Sequence, residues 1–212
     1  MKLYSYFRSS AAYRVRIALN LKGLPYEYVP VHLQKGEQRG DPYRAVNPQG
    51  LVPTLVDDRG AFTQSLAIIE YLEERHPEPP LLPETPEARA RVRAIALSIA
   101  CEIHPLNNLR VLQYLTRTLG VAEDAKNAWY RHWIDLGLAT LEKQLATDPA
   151  TGEFCHGATP TLADICLVPQ LANARRFGIP LDPYPTLTRI ESVCTVLPAF
   201  AAAAPAQQPD AQ

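Results

Sequence analysis

Two helix starts carry the residues best placed for chemistry in this sequence. Ser9 and Ser10 stand where the turn Phe7-Arg8-Ser9-Ser10 leaves a short strand and enters a helix. The first N–H groups of a helix have no partner within it, and the positive end of its dipole lies there, so the place favours an anion. Gln64-Ser65 opens a second helix with the same combination of hydroxyl and free N–H groups, suited to a carboxylate. A serine that only caps its helix is the plainer reading at both places. Val52-Pro53 puts a proline inside a run that otherwise reads as a strand, which marks an edge, a bulge or a special bend. Asp164 invites a catalytic role, but it follows Thr161 by three residues at a helix start, and that spacing is a capping-box variant that serves folding.

Those residues need a scaffold, and hydrophobic spacing supplies one. Residues 2–6 read as a strand. Ala11, Val15, Ala18 and Leu19 then recur on one helical face, with Ser9 or Ser10 as N-cap and Gly23 where a C-terminal glycine belongs. Residues 26–33, rich in β-branched and aromatic side chains, predict a second strand. Residues 36–45 are polar and predict a loop with a short helix. Strands at 51–56 and 61–63 follow, and a helix runs from Ser65 to about residue 75 with Ile68, Ile69 and Leu72 on its buried side. The order is βαβ and then ββα, a small α/β unit. Pro77, Pro79, Pro80, Pro83 and Pro86 next make an extended, stiff linker. Beyond it, residues 87–119, 122–145, 161–177 and 185–196 lack strand alternation and read as helices, and the alanine- and proline-rich tail from 201 reads as mobile. The fold class expected is α/β plus all-α, with an α/β domain over 1–80, a proline-rich linker over 81–87 and a helical domain over 88–212.

Composition removes several classes of function. The 212 residues include 21 Lys and Arg against 22 Asp and Glu, which leaves no basic excess for nucleic acid. No run approaches the roughly 18 apolar residues that span a bilayer. The opening MKLYSYFRSS lacks the apolar stretch of a signal peptide, so a cytoplasmic protein is expected. Cys101, Cys155, Cys166 and Cys194 show neither a CxxC pair nor a zinc spacing; they read as reduced, mostly packed thiols, and no metal is expected. Trp129 and Trp133, one turn apart, read as core or interface aromatics.

The strings YSYFRSSAAYRVRIALNLKG, NPQGLVPTL, QSLAIIEYLEE, TLADICLVPQ and DPYPTL occur in that order. Together they resemble the zeta class of glutathione transferases, which includes maleylacetoacetate and maleylpyruvate isomerases, and the resemblance runs through nearly the whole chain. It implies a thioredoxin-like glutathione-binding domain followed by a helical substrate-side domain, a homodimer, and reduced glutathione as cofactor. Ser9 is then the contact of the glutathione thiol, with Ser10 and Ala11 beside it, and the thiol is held there as thiolate, its reactive form. Val52, on a cis-proline turn at Pro53, is expected to pair with the cysteinyl part as an added strand would. Gln64 and Ser65 are expected to take the γ-glutamyl carboxylate, and Gln38 and Gln49 the glycine end. His104 and Asn108, spaced to share a helical face despite the distortion at Pro105, add contacts to glutathione and substrate.

The substrates of such enzymes are dicarboxylates, which arginine suits through its two-pronged donor geometry. The resemblance assigns Arg8, beside the thiol position, and Arg110 and Arg176 of the helical half to that task, with Arg175 competing for the role of Arg176. Arg14 and Arg16 are expected to face solvent or to pair between domains. The implied reaction is the cis-trans isomerisation of a maleyl diacid, with the thiol adding and leaving so that glutathione is regenerated. Two positions depart from the class: Ala11 stands where a cysteine is usual, and Tyr13 where a tryptophan is usual. The missing cysteine keeps maleylpyruvate open as substrate beside maleylacetoacetate. A glutathione transferase acting on small electrophiles or α-haloacids is a second reading. A non-catalytic binding protein on the same fold is a third, and it would have no need of Ser9, Gln64 and Ser65.

Overall fold

Leu3 and Ser5 are buried and Lys2 is exposed, the alternation of a strand covered on one face, and they form β1 (Lys2–Ser5). The computed structural model describes residues 1–211. After β1 come α1 (Ser10–Leu21), β2 (Glu27–Pro30), α2 (Asp41–Arg44), β3 (Thr54–Val56), β4 (Ala61–Thr63) and α3 (Ser65–Arg75). The sheet order is β2-β1-β3-β4, with β2 parallel to β1 and the other neighbours antiparallel. The βαβ and ββα order read from the sequence is therefore present. β2 stops at Pro30 and β3 starts only after Pro53, because a proline has no N–H to give a ladder. Both strands are shorter than the predicted 26–33 and 51–56.

The described residues fall into two compact units, Met1–Leu81 together with the residues from Thr195 onward, and Leu82–Cys194. The proline-rich stretch is tied down at its start. The Lys22 side chain is fully buried; its Nζ pairs with Glu73 at 2.8 Å and donates to the carbonyls of His76 at 2.6 Å and Pro79 at 2.9 Å. Glu73 in turn accepts the Leu81 N–H. A buried charge needs this degree of satisfaction, because removing either ion from water costs several kcal/mol.

In the second unit the predicted helix 87–119 is broken. α4 (Pro86–Leu97) runs into a π-helical segment, Ser98–Ile103, then a 3-10 turn, Pro105–Asn107, before α5 (Leu109–Arg117). Pro105 lacks an N–H and crowds the preceding turn, so the helix cannot pass through it. Just before it the His104 N–H reaches back five residues, to Ile99 O at 2.9 Å. α6 (Glu123–Thr147) buries Tyr130, Ile134, Leu138, Leu141 and Leu145, one stripe at helical spacing. α7 (Leu162–Arg176) is buried from Leu162 through Leu171 and opens on a full capping box between Thr161 and Asp164. α8 (Pro185–Thr195) has its N-terminal end closed by Glu142, which accepts the Thr186 and Leu187 N–H groups at 3.0 Å each.

Two expectations fail in the first unit. The tail is ordered: α9 (Pro198–Ala203) packs against α1, burying Phe200 and Ala203, and Gln208 Nε2 closes it by donating to Ala202 O and Ala204 O at 2.9 Å. Arg14 and Arg16 are buried, 1% and 0% exposed, because α1 is covered on all sides from Ala12 to Leu19. Arg16 is held by carbonyls: Nε donates to Ala203 O at 2.9 Å, Nη2 to Phe7 O at 3.2 Å and Nη1 to Tyr6 O at 3.5 Å, with Ser5 Oγ at 3.1 Å. Desolvation pulls its pKa down from the usual arginine value.

Candidate active site

The N-terminus of α1 is built around Ser9. Its backbone is extended (φ −70°, ψ 112°), its N–H donates to Tyr6 O at 2.9 Å, and its Oγ accepts the Ala12 N–H at 3.2 Å. It is thus the N-cap, and its hydroxyl hydrogen remains to be donated elsewhere. Ser9 is half-buried and Ser10 buried, and the Ala11 N–H has no intramolecular partner among the described residues. Arg8 is exposed, with its guanidinium 4.9 Å from the centroid of the Phe7 ring. A hydroxyl, a free N–H, a helix dipole and an arginine therefore stand within four consecutive residues.

The start of α3 is held under strain. Gln64 has φ 69° and ψ 116°, and among the described residues it is the one non-glycine residue at positive φ. Such a backbone costs about 1–3 kcal/mol and persists only where its surroundings enforce it. Gln64 Nε2 donates to Gln49 Oε1 at 3.0 Å, joining two of the expected site residues. The N–H groups of Ser65, Leu66 and Ala67 have no intramolecular partner among the described residues. Ser65 Oγ accepts Arg14 Nη1 at 3.4 Å. Arg14, expected outside, thus brings a buried cation behind this helix start, and neither its spacing nor its neighbours in sequence signal that.

Between the two helix starts runs the loop carrying Gln49, Val52 and Pro53. The Val52–Pro53 peptide bond is cis, and the Val52 N–H and C=O have no intramolecular partner among the described residues. A buried polar network that sequence reasoning missed holds the loop. Asn47, 1% exposed, donates Nδ2 to Leu51 O at 2.8 Å and Thr54 Oγ1 at 3.1 Å and accepts the Gln49 N–H at 3.0 Å. Tyr43 Oη adds bonds to Leu51 O at 2.5 Å and to Thr54 Oγ1 at 2.8 Å. The available signal is the Asn-Pro of NPQG, a turn-initiating pair whose side chain bonds its own backbone two residues on. Gln38 is buried, and its Oε1 lacks a partner among the described residues. Its backbone carbonyl lies where a Cβ on Gly50 would come within 2.8 Å, and Gly50 has φ 61°, so this turn requires glycine.

Of the residues expected in the second unit, Arg176 lies beside Tyr130, and the placing of His104 and Asn108 is corrected. His104 and Asn108 do not share a helical face: His104 ends the π-helical segment, and Asn108 is extended (φ −64°, ψ 145°) as the N-cap of α5, its Oδ1 accepting the Arg110 N–H at 3.2 Å. The break at Pro105 separates them. His104 and Asn108 are half-buried and Arg110 is exposed. Asn107 Nδ2 and Trp129 Nε1 pin this turn, donating to Tyr130 O at 3.1 Å and Leu106 O at 2.9 Å. The Tyr130 ring stacks on Phe177 at 3.6 Å, and the Arg176 guanidinium lies 5.0 Å from the Phe177 centroid. Burial raises the Tyr130 pKa, and the Arg176 charge opposes that rise. Arg175 turns to an ion pair with Glu191, which leaves the aromatic pair to Arg176.

Asp164 is 0% exposed and accepts Cys155 N at 2.8 Å, Thr161 N at 2.8 Å and Thr161 Oγ1 at 2.9 Å. Burial raises its pKa while those bonds pull the other way; the Thr161 bonds close the start of α7, and the Cys155 bond ties the preceding loop to it. None of the four cysteines is in a disulfide; Cys101 is exposed, and Cys155, Cys166 and Cys194 are buried. Among the described residues no group of three or more His, Cys, Asp or Glu is placed to hold a metal ion.

Comparison with known proteins matches the family model of the glutathione S-transferase N-terminal domain to residues 3–80 and that of the C-terminal domain to residues 127–201. A Vibrio cholerae protein named probable maleylacetoacetate isomerase is 54% identical over 211 residues, covering 99% of this chain and 97% of its own. The maleylpyruvate isomerase of a Ralstonia species is 52% identical, covering 99% of each chain. Among solved structures, the holo form of a bacterial zeta-class maleylpyruvate isomerase superposes with a TM-score of 0.98 at 51% identity over the whole of both chains. A Methylobacterium extorquens AM1 maleylacetoacetate isomerase with bound malonate and glutathione superposes with a TM-score of 0.97 at 45% identity, again over both chains entire.

Proposed function

The chain belongs to the glutathione transferase family, and on that footing we propose that it is a glutathione-dependent cis-trans isomerase, converting maleylacetoacetate or maleylpyruvate to the fumaryl isomer. The observation that carries this reading is Ser9, a half-buried hydroxyl at the positive end of α1 with an exposed arginine as its neighbour.

Reduced glutathione fits the groups present. It needs an anion site for its γ-glutamyl carboxylate, and the free N–H groups of Ser65, Leu66 and Ala67 with the Arg14 charge behind them make one. It needs a partner for its central peptide, and Val52 has both backbone groups unpaired among the described residues. The buried Gln38 Oε1 awaits a donor, and Gln49 stands bonded to Gln64.

When bound, glutathione supplies a thiolate that adds reversibly to the cis double bond, so that the bond becomes single, turns, and re-forms trans as the thiol departs. Ser9 would hold that sulfur as its anion by donating its hydroxyl hydrogen, and the α1 dipole and the Ala11 N–H would act in the same sense. Ionisation of the thiol on binding removes the need for a side-chain base. Arg8 would neutralise the carboxylate nearest the reacting carbons and the charge developing on the conjugated carbonyl, a preorganised electrostatic contribution. Arg110 and Arg176 are the proposed carboxylate ligands of the second unit, with Phe177 stacking against Arg176. Ala11 offers no second thiol, so the bound thiol alone carries the chemistry. A homodimer and a cytoplasmic location belong to the same proposal. Among the described residues no helix is long and apolar enough to cross a membrane.

The test follows the maleyl absorbance of both substrates with and without glutathione and assays total thiol at the end. Glutathione-dependent loss of one substrate's signal with unchanged thiol supports the proposal and selects the substrate. Consumption of thiol in proportion to product would replace isomerisation by conjugation.

A further inference from the structure

The turn Tyr6-Phe7-Arg8-Ser9 carries the hydroxyl and the arginine on which the proposed chemistry rests, yet its hold lies at the far end of the chain. The Phe7 N–H donates to Asp210 Oδ2 at 3.1 Å across 203 residues of sequence. The Phe7 carbonyl is held from the other side by Arg16 Nη2 at 3.2 Å. Arg16 also grips Ala203 O at 2.9 Å, so both polar groups of Phe7 depend on the C-terminal segment. The second oxygen of Asp210 accepts Tyr28 Oη at 2.6 Å and so fixes the carboxylate to β2. Burial and the Asp210 bond raise the Tyr28 pKa, which keeps that phenol a donor. The Phe7 ring is buried with Tyr6, Val31, Tyr43 and Val52, with Ala211 of the tail packed against them, and Arg8 lies over that ring. A shift of the Phe7 peptide therefore carries Arg8 and Ser9 with it.

We propose that Asp210 is a positioning residue for the reaction: it clamps the Phe7 peptide and through it sets the place of the Arg8 guanidinium and the Ser9 hydroxyl, a role that rests on the reading of Ser9 given above. In this role Asp210 acts through the Phe7 peptide, its carboxylate being taken up by the Phe7 N–H and the Tyr28 hydroxyl. The glutathione-holding groups at Gln64 and Ser65 lie on α3, so the loss of Asp210 acts more on turnover than on glutathione affinity.

The experiment compares the full-length wild type with Asp210→Ala, Asp210→Asn and Tyr28→Phe. It reads kcat and KM for substrate and glutathione per folded enzyme, the pH titration of the bound thiol, and amide exchange of Phe7 to Ser9 in the glutathione-free protein. Asp210→Ala is expected to lower kcat about 10- to 100-fold, the scale of a displacement near 1 Å, with KM for glutathione within about 3-fold of wild type. Its thiol titration moves up, and exchange at Phe7 and Arg8 speeds up. Asp210→Asn retains an oxygen for the Phe7 N–H and is expected to restore kcat to within about 3-fold of wild type. Tyr28→Phe, which spares the Phe7 bond, falls between the two. An Asp210→Ala enzyme with altered melting but unchanged kcat, thiol titration and exchange overturns the positioning role alone. A wild type that shows no glutathione-dependent turnover overturns the positioning role together with the reading of Ser9.

Discussion

Ser9→Ala removes one oxygen that has two separable jobs. The first is visible: Oγ accepts the Ala12 N–H at 3.2 Å as the N-cap of α1. An alanine at such a cap costs about 0.5–2 kcal/mol, whereas a glycine costs only a few tenths. For a protein of this size each kcal/mol moves Tm by about 2–4 °C. The second job is the proposed hydrogen bond to a bound thiolate. Bonds to charged groups contribute about 1.5–3 kcal/mol, and at about 1.36 kcal/mol per pKa unit the bound thiol should rise by about 1–2 units when the hydroxyl is lost. The two jobs part company in Ser9→Gly, which keeps most of the cap's free energy and none of the hydroxyl. Thiolate absorbance against pH, measured on the glutathione complexes of wild type, Ser9→Ala, Ser9→Gly and Ser9→Thr, reads the second effect directly, and thermal melting reads the first. The expected pattern is an upward thiol shift in both Ala and Gly, a lowered Tm chiefly in Ala, and near wild-type behaviour in Thr. If the thiol titrates alike in all four proteins while only the alanine variant melts early, Ser9 is a cap and the reasoning about the sulfur is wrong.

Three further outcomes follow from particular contacts. Gln64→Gly relieves the strained φ of 69° and should raise stability by about 1 kcal/mol. It also breaks the bond to Gln49 and should weaken glutathione binding about 5- to 10-fold, so melting and calorimetric titration must move in opposite senses. Glu73→Ala strands the buried Lys22 ammonium and is expected to cost about 3–5 kcal/mol in urea unfolding, with kcat per folded molecule unchanged. Asp148 is held below the usual carboxylate range by its bond from Arg91 at 2.7 Å, helped by the Ala150 N–H. Its pKa is lower folded than unfolded, so its contribution is present above the unfolded value and is lost as pH falls through the folded one. Asp148→Asn should therefore lower stability near neutral pH and flatten the acid limb below about pH 4, seen as converging urea midpoints of the two proteins there.

Local signals and long-range closure divide what can be read from this chain. The cap at Ser9, the helix opened by Ser65, the box at Thr161 and Asp164 and the proline-bearing turn at Val52 are all written within a few neighbouring residues. The order of elements along the chain and the α/β and helical character of its two parts follow from the same local periods. The misses in the tail and at Arg14 and Arg16 share one cause, which is that a partner lies far away in sequence. The tail looks mobile because alanine, proline and glutamine carry little pattern, yet α9 covers α1, and Asp210 finds its partner at Phe7. Arg14 and Arg16 look like surface residues because arginine usually is, but carbonyls and Ser65 satisfy them inside. The break at His104 to Asn108 was signalled by Pro105, and only the π-helical approach to it exceeded what the proline implies. Asn47, Tyr43 and Thr54, which hold the central loop, read individually as ordinary polar and aromatic positions.

The central claim is that glutathione is regenerated at every turnover. It is tested most directly by supplying maleylacetoacetate or maleylpyruvate in large excess over glutathione and counting the product formed per glutathione molecule. Complete conversion to the fumaryl isomer is expected, with many products per glutathione and the free thiol intact at the end. Conversion that halts after one product per glutathione, with the thiol gone, would contradict it.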